Sequence, residues 1–432
     1  MERKLIISAI ILMFFLISIN FSFTTNAEKL NLMSNTSSKY RAVLIAISDY
    51  PGTEHDLNTP VKNLDSMHKC LIKGSNSYYV ETLKDDSATL DNVNSKLDWL
   101  KNKATDDDIS LFYFCGHGTQ IDTKNSEREG DTKDECLVLY DEFMPDDDFI
   151  DKILEIKGYV IVILDCCKSA GFEEDLDYKY KKDGDLWSQT KVFFISAFKE
   201  NQNLFEIPIL ESSLLTFPLV GSLSTSNYDD TITIDEMYMM TQELFEQGKN
   251  VFKIGYAGGL NIYPHRGTNR YYDVMDLPII KGFKNYRPWI EEFNVPEKSG
   301  KKCEINVRLR DDNNDFIKIF VRWGDNANGG WIDDKYTNYD VATLRNTYSK
   351  NGNYEISVIA QDDKGSISYW QTKEVKIEGK SRLSRFLNQF STIFQKIKRC
   401  DIFDLLKIPN ILNNSDSSNV IFKPLVKNNL FT

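Results

Sequence analysis

Continuous apolar runs alternate with amphipathic stretches along the first 270 residues. "RAVLIAISDY" is apolar through its front half, as a strand covered on both faces would be. Val61, Leu64, Met67, Leu71 and Ile72 then recur near one face of "TPVKNLDSMHKCLIKG", the period of a helix, and "YYVETLKD" returns to strand character. Leu90, Val93, Leu97 and Leu100 predict a second helix, which leads into the strand "DISLFYFCGHG". After the helix "DFIDKILEIKG" come two more short apolar strands, "YVIVILD" and "KVFFISA". Strands and helices in alternation predict a mostly parallel sheet in a three-layer α/β domain over residues 40–270. Ligands of such sheets gather at the carboxyl ends of the strands. Both "CGHG" and "DCCKSAG" fall at ends of that kind.

From about Leu277 the texture changes to alternating segments divided by polar turns: "CEINVRLRDDNNDFIKIFVRWGDN", "NGNYEISVIAQDDKGSISYW" and "TKEVKIEG". Their spacing predicts a small antiparallel β-sandwich over residues 278–378. Residues 380–432 open with an apolar helical stripe flanked by lysine and arginine, a basic amphipathic tail suited to packing on the chain or to association with an anionic surface or membrane. Residues 173–189, "EEDLDYKYKKDGDLWSQ", separate two buried strands and are highly charged, which predicts an exposed, mobile loop.

At the other end, Arg3 and Lys4 precede an apolar run to about Ile19, with Thr25 and Ala27 at cleavage-site positions. Residues 1–27 thus have the layout of a signal peptide and imply a secreted or cell-surface protein; an uncleaved anchor is the alternative. Acids outnumber bases, 64 to 52, which argues against a nucleic-acid partner and for protein or peptide partners. Seven cysteines lack the even spacing of a disulfide framework, so at least one thiol is left over.

A nucleophilic cysteine needs a base and donors for an oxyanion. His117, between glycines at a strand end, can be the base. Of the adjacent Cys166 and Cys167, only one can face a given cleft, because a strand alternates its faces. Together "FYFCGHGTQ", "KDECLVLYDEF", "VIVILDCCKSAGF" and "FFISAFKENQ" resemble the caspase-like cysteine peptidases, and among them the metacaspases, whose nucleophile motif is Asp-Ser-Cys-His-Ser-Gly. The resemblance implies a caspase-haemoglobinase fold for the α/β domain and cysteine endopeptidase activity without an organic cofactor. It places Cys167 as nucleophile, His117 as catalytic histidine, and the amides of Gly118 and Cys167 in an oxyanion hole. Cys166 is then left to pack. Lys168 stands in the place of the family's histidine and Ala170 in that of its glycine.

Asp165 matches an acidic pocket residue that implies cleavage after arginine or lysine. Asn63 stands where the family has a second pocket aspartate, and Cys115 where it has a serine. Asp146 and Asp147 match a pair that binds Ca2+, with Asp131, Asp134 and Glu174 as further metal ligands; "PDDDF" is equally a good helix start. "VRWGDN", "RNTYSKNGNYEISV" and "AQDDKGS" resemble the polycystic-kidney-disease (PKD) type of Ig-like sandwich, a module that spaces or presents a catalytic domain. Two other readings stay open: a legumain-like or gingipain-like peptidase with another preference, and an inactive caspase-like module kept for binding or adhesion. With a basic preference, Lys179, Lys181 and Lys182 would be sites of self-cleavage.

Overall fold

The computed structural model describes residues 40–122, 133–196, 206–226, 229–254, 260–263, 268–325 and 329–379. The signal-like residues 1–27, the tail 380–432 and Asp131 lie outside them. Strand β1 (Tyr40–Ala46) is followed by helix α1 (Pro60–Leu71), β2 (Tyr79–Lys84), α2 (Leu90–Lys103) and β3 (Ile109–Cys115). A small antiparallel sheet, β4 (Gly118–Asp122), β5 (Lys133–Val138) and β6 (Phe143–Pro145), comes next, then α3 (Asp146–Leu154), β7 (Gly158–Asp165), α4 (Phe172–Lys182), α5 (Leu186–Gln189) and β8 (Thr190–Ser196). The chain continues through a short hairpin, β9 (Glu206–Ile207) and β10 (Ser212–Ser213), into α6 (Thr216–Leu223). β11 (Thr231–Thr233), α7 (Ile234–Phe252), β12 (Asn261–Tyr263), α8 (Asn269–Met275) and β13 (Pro278–Lys281) complete this part.

The main sheet runs β12-β8-β7-β3-β1-β2, parallel except at β12. Alternation along each strand sends side chains to two cores. Leu44, Leu111, Tyr113, Cys115 and Ile163 join the layer of α1, α6 and α7, while Val43, Phe112, Phe114, Leu164 and Cys166 join that of α2, α3 and α4. The expected three-layer architecture is therefore present, with both candidate motifs at the carboxyl edge of its two central strands.

The segment expected to be a loop, residues 173–189, is largely helical. Phe172, Leu176 and Tyr180 repeat every fourth residue and are buried, so α4 packs on the sheet like any amphipathic helix. Its composition suits that state: Glu173, Glu174 and Asp175 lie at the positive end of the helix dipole and Lys179, Lys181 and Lys182 at the negative end. Lys179 and Lys181 also pair with Asp151 and Asp177. Charge density signalled a loop, while the four-residue apolar repeat that decides the matter is only three residues long.

The second part is the expected sandwich, antiparallel except for one short parallel edge pair. β14 (Trp289–Asn294), β16 (Lys302–Arg310) and β19 (Val341–Thr347) form one sheet; β15 (Lys298–Ser299), β17 (Ile317–Arg322), β18 (Gly329–Tyr336), β20 (Gly352–Asp362) and β21 (Gln371–Ile377) form the other. Val307, Leu309, Ile319, Val321, Val358 and Val375 meet between them. The Tyr348 hydroxyl donates to the Trp323 carbonyl at 2.9 Å, closing the core beside Tyr354. The sandwich is no detached spacer. Phe320, Ile359 and Ile367 on its outer face belong to the same apolar core as α6 and α7, and a Cβ at Gly221 would lie 2.4 Å from Ile367.

Candidate active site

β3 and β7 pair in register, Cys115 opposite Asp165, so His117 and Cys167 each follow two residues beyond one aligned pair. Backbone geometry brings the two turns together. A Cβ on Gly118 would lie 2.0 Å from the Cys167 carbonyl oxygen, an approach that only glycine allows. The two thiols differ as strand alternation requires. Cys166 is 0 % exposed within the α2–α4 core, and burial pushes its thiol well up, holding it protonated. Cys167 is partly exposed, and neither is disulfide-bonded.

His117 is oriented by groups that sequence reasoning did not find. Its Nε2 lies 2.8 Å from the His55 carbonyl oxygen. A carbonyl can only accept, so Nε2 carries the proton, and in the neutral ring Nδ1 holds the lone pair. The His117 amide donates to the Tyr50 hydroxyl at 2.8 Å, and that hydroxyl donates to the Val138 carbonyl at 3.2 Å. Tyr50 also lays its ring 4.8 Å from the imidazole. Its place directly after β1, at a strand's carboxyl end, was the available signal; a backbone carbonyl such as that of His55 leaves none. A cavity of about 800 Å3 opens beside His117, lined among others by Tyr50, His55, Gly118, Tyr140 and Phe143.

The three residues expected in a substrate pocket form one connected cluster on the α1 side of the sheet. Asn63 Nδ2 lies 3.5 Å from Cys115 Sγ, which lies 3.8 Å from Asp165 Oδ2. The β10 strand covers them: Ser212 Oγ donates to Asn63 Oδ1 at 2.7 Å, and Ser213 Oγ donates to Asp165 Oδ2. Thr216 Oγ1 adds a third bond to that oxygen at 2.5 Å, leaving Asp165 Oδ1 buried without a partner. Asp165 is 0 % exposed, and burial pushes its carboxyl up to about 6 against the pull of its hydroxyl donors. Glu206, at the hairpin's base, accepts from the amides of Asn58 and Thr59, both at 2.8 Å, and so ties the hairpin to the start of α1. Lys168 does not simply face solvent: its Nζ donates to Gln120 Oε1 at 2.8 Å, and Gln120 reaches Glu135 at 2.6 Å.

The expected calcium ligands are not gathered. Asp146 Oδ1 accepts from the Asp147 amide at 2.9 Å and Oδ2 from the Glu135 amide at 3.3 Å, so it serves the start of α3. Glu174 is exposed on α4, and Asp134 is buried in β5. Among the described residues, no three of Asp134, Asp146, Asp147 and Glu174 bring oxygens within 4.8 Å of one another. Asp146, Asp147 and Glu174 stand in the first turns of α3 and α4, and no step below is routed through an ion.

An α/β sandwich that presents a cysteine and a histidine on adjoining turns at the ends of its two central strands defines the caspase-like class. The caspase domain model matches residues 39–271, more than half of the chain, and the chain belongs to the caspase family of cysteine peptidases. It is similar to metacaspase-7 of Arabidopsis thaliana, 31% identical over 145 residues, which are 31% of this chain and 36% of that protein. Metacaspase-4 of the same plant is 31% identical, with 31% and 34% covered, and metacaspase-1 of Candida albicans (strain SC5314 / ATCC MYA-2876) is 29% identical, with 35% and 38% covered. The chain thus spans about a third of the length of the curated relatives it matches. Among solved structures, the PKD domain of an M14-like peptidase from Thermoplasmatales archaeon SCGC AB-540-F20 is 26% identical and covers 22% of this chain and 99% of that one, with a TM-score of 0.21. Protein GSU0716 from Geobacter sulfurreducens is 16% identical, with 56% and 98% covered and a TM-score of 0.41.

Proposed function

We propose that this chain is an exported cysteine endopeptidase that cuts after arginine or lysine, with Cys167 and His117 as its catalytic pair. The observation that carries the reading is the imidazole's fixed tautomer on a turn that touches the Cys167 turn: with Nε2–H held by the His55 carbonyl, Nδ1 is the nitrogen left with the lone pair. His117 Nδ1 takes the Cys167 proton, and the thiolate attacks the peptide carbonyl carbon. Amides of Gly118 and Cys167 receive the oxyanion. The imidazolium then protonates the departing amine, and His117 next draws a proton from water to hydrolyse the acyl-enzyme. Export rests on the signal-like residues 1–27. Among the described residues, no helix is long and apolar enough to cross a membrane.

Asp165, with its unpartnered Oδ1, supports the basic preference. Because it lies beneath Ser213 and Thr216, a substrate cation reaches it only when β10 shifts, so the free pocket is closed. A fluorogenic panel varying the residue before the cut, run on wild type and Cys167→Ala, tests the proposal. Arginine and lysine peptides are expected to be cut by wild type alone. Cutting confined to asparagine or aspartate would place the chain with legumain-like specificity, and no cutting of any peptide would leave a binding module.

Two further outcomes follow from the geometry. Gly118→Ala forces a Cβ against the Cys167 carbonyl, a backbone atom that cannot swing aside. With misplacement of the nucleophile by a fraction of an ångström, kcat/KM is expected to drop on the order of 100-fold while circular dichroism stays that of wild type. For self-cleavage, Lys179, Lys181 and Lys182 are held in α4, whereas a peptidase needs an extended substrate. Sequencing of new amino termini after incubation of the purified wild type is expected to show none within Phe172–Lys182. A terminus there would mean that α4 unwinds.

A further inference from the structure

The residue after the nucleophile is held in a strained conformation. Lys168 has a φ of +59°, in the left-handed region that residues with a Cβ seldom enter. Its side chain leaves the turn for a neighbouring strand: Nζ donates to Gln120 Oε1 at 2.8 Å, and Gln120 Nε2 donates to Glu135 Oε1 at 2.6 Å. The Gln120 amide is thus oriented by charge at both ends, its oxygen toward an ammonium and its nitrogen toward a carboxylate, and bonds to charged groups are the strong ones. Gln120 and Glu135 stand directly opposite each other in the β4–β5 pair, so the strand register aligns them.

Glu135 returns the contact to the same turn. It is buried, and a Cβ on Gly171 would lie 2.3 Å from Glu135 Cδ and 2.5 Å from Oε2, so this carboxylate rests directly on the turn's far end. The Gly171 amide donates to the Lys168 carbonyl at 3.2 Å. The contacts therefore close a ring, leaving the nucleophile turn at Lys168, crossing β4 and β5, and re-entering it at Gly171. A strained turn persists only where its surroundings fix it, and the ring supplies that constraint.

We propose that Lys168, Gln120 and Glu135 are positioning residues that set the width of the oxyanion hole. Under the peptidase mechanism proposed above, on which this reading rests, the amides of Gly118 and Cys167 receive the oxyanion. Gly118 opens β4 two residues before Gln120, and Cys167 directly precedes Lys168. The Lys168–Gln120 bond is therefore a side-chain tie between the two stretches that carry the two donors. Oxyanion donors work only within about 2.7–3.1 Å of the developing charge, so a tie that fixes their separation acts on the transition state.

Acylation and deacylation both pass through an oxyanion, so loosening the tie lowers kcat whichever step limits it, while binding of the ground-state peptide is little changed. Two other roles for Lys168 would show differently. An ammonium that favoured the Cys167 thiolate would act on every reaction of that thiol. Were the turn's conformation all that mattered, glycine, which adopts this φ freely, would serve as well.

Steady-state kinetics of the full chain on an arginine peptide, beside alkylation of Cys167 by iodoacetamide followed by mass spectrometry, tests the proposal. In alkylation the thiolate displaces iodide and forms no oxyanion, so its rate reports the thiol alone. Lys168→Met and Gln120→Leu are each expected to lower kcat about 10- to 100-fold, with KM and the alkylation rate within about two-fold of wild type. The double variant is expected to lose little more than either single one, since both remove the same tie. Lys168→Gly is expected to lose as much as Lys168→Met, and Lys168→Arg, which keeps a long cationic donor, to recover most of the rate. Wild-type kcat in folded Lys168→Met, Lys168→Gly or Gln120→Leu would overturn the proposal, and so would an alkylation rate that falls in step with kcat. Where Gln120→Leu does not fold, the Lys168 series decides by itself. A wild type that is alkylated at Cys167 yet cuts no peptide would remove the peptidase reading, and the role of this tie with it.

Discussion

Cys167→Ala and His117→Ala are each expected to lower kcat on a peptide substrate by at least about 10^4-fold, and Cys166→Ala to stay within about three-fold of wild type. The two cysteines are neighbours in sequence and chemically identical in the unfolded chain. The fold separates them. Cys166 continues the alternation of β7 into the core of α2, α3 and α4, where burial suppresses its thiolate. Cys167 falls on the turn that touches Gly118, next to the histidine whose Nδ1 is free to take a proton. Loss of the Cys166 sulfur leaves a small void in a packed core and is expected to cost about 1 kcal/mol of stability. Urea titration and steady-state kinetics on the same three proteins separate the effects. An inactive but folded Cys166→Ala, beside an active Cys167→Ala, would shift the motif by one residue and dismantle the proposed mechanism.

Much of this was legible because the physics is local. A buried parallel strand must be apolar throughout, so "YVIVILD" and "LFYFC" announced both the sheet and its carboxyl edge. Strand alternation then allowed only one of the two cysteines to face the cleft, and the family resemblance left Cys166 for the core. What escaped notice has no local signature. α6, "TFPLVGSL", is apolar on nearly every side because it lies between the sheet and the sandwich, so it shows no stripe. The His55 carbonyl that fixes the tautomer of His117 belongs to a residue whose side chain is irrelevant to the task. Ser213 and Thr216 reach Asp165 across 48 and 51 residues, and only the closed hairpin brings them there. The acidic run "PDDDF" is ambiguous for the opposite reason: aspartates serve a helix start and a metal equally well on paper, and here two backbone amides donate to Asp146.

Asp165→Asn is expected to lower kcat/KM for an arginine peptide by roughly 30- to 1000-fold, the equivalent of about 2–4 kcal/mol for removing one partner of a desolvated charge pair. The same variant should act on a citrulline peptide, which keeps the shape of arginine without its charge, almost as wild type does. The pH dependence makes the test sharper. Burial holds the Asp165 carboxyl at about 6, so it is largely neutral at pH 5 and largely ionised at pH 7. In wild type the ratio of arginine to citrulline rates is expected to climb through about pH 6, and in the variant to stay flat. Taking the ratio cancels the titration of Cys167 and His117, which both substrates share. Stability carries the same group with the opposite trend. A carboxyl whose folded value lies above its ordinary value of 3.8 binds its proton more tightly in the fold. Its contribution is therefore complete below 3.8 and is lost as pH rises through about 6, on the order of 3 kcal/mol in all. Melting temperatures of wild type and Asp165→Asn, measured from pH 4 to pH 8, should accordingly drift apart in favour of the variant above pH 6. Parallel curves, together with an arginine-to-citrulline ratio that ignores pH, would remove Asp165 from the specificity pocket and leave it a structural acid beneath β10.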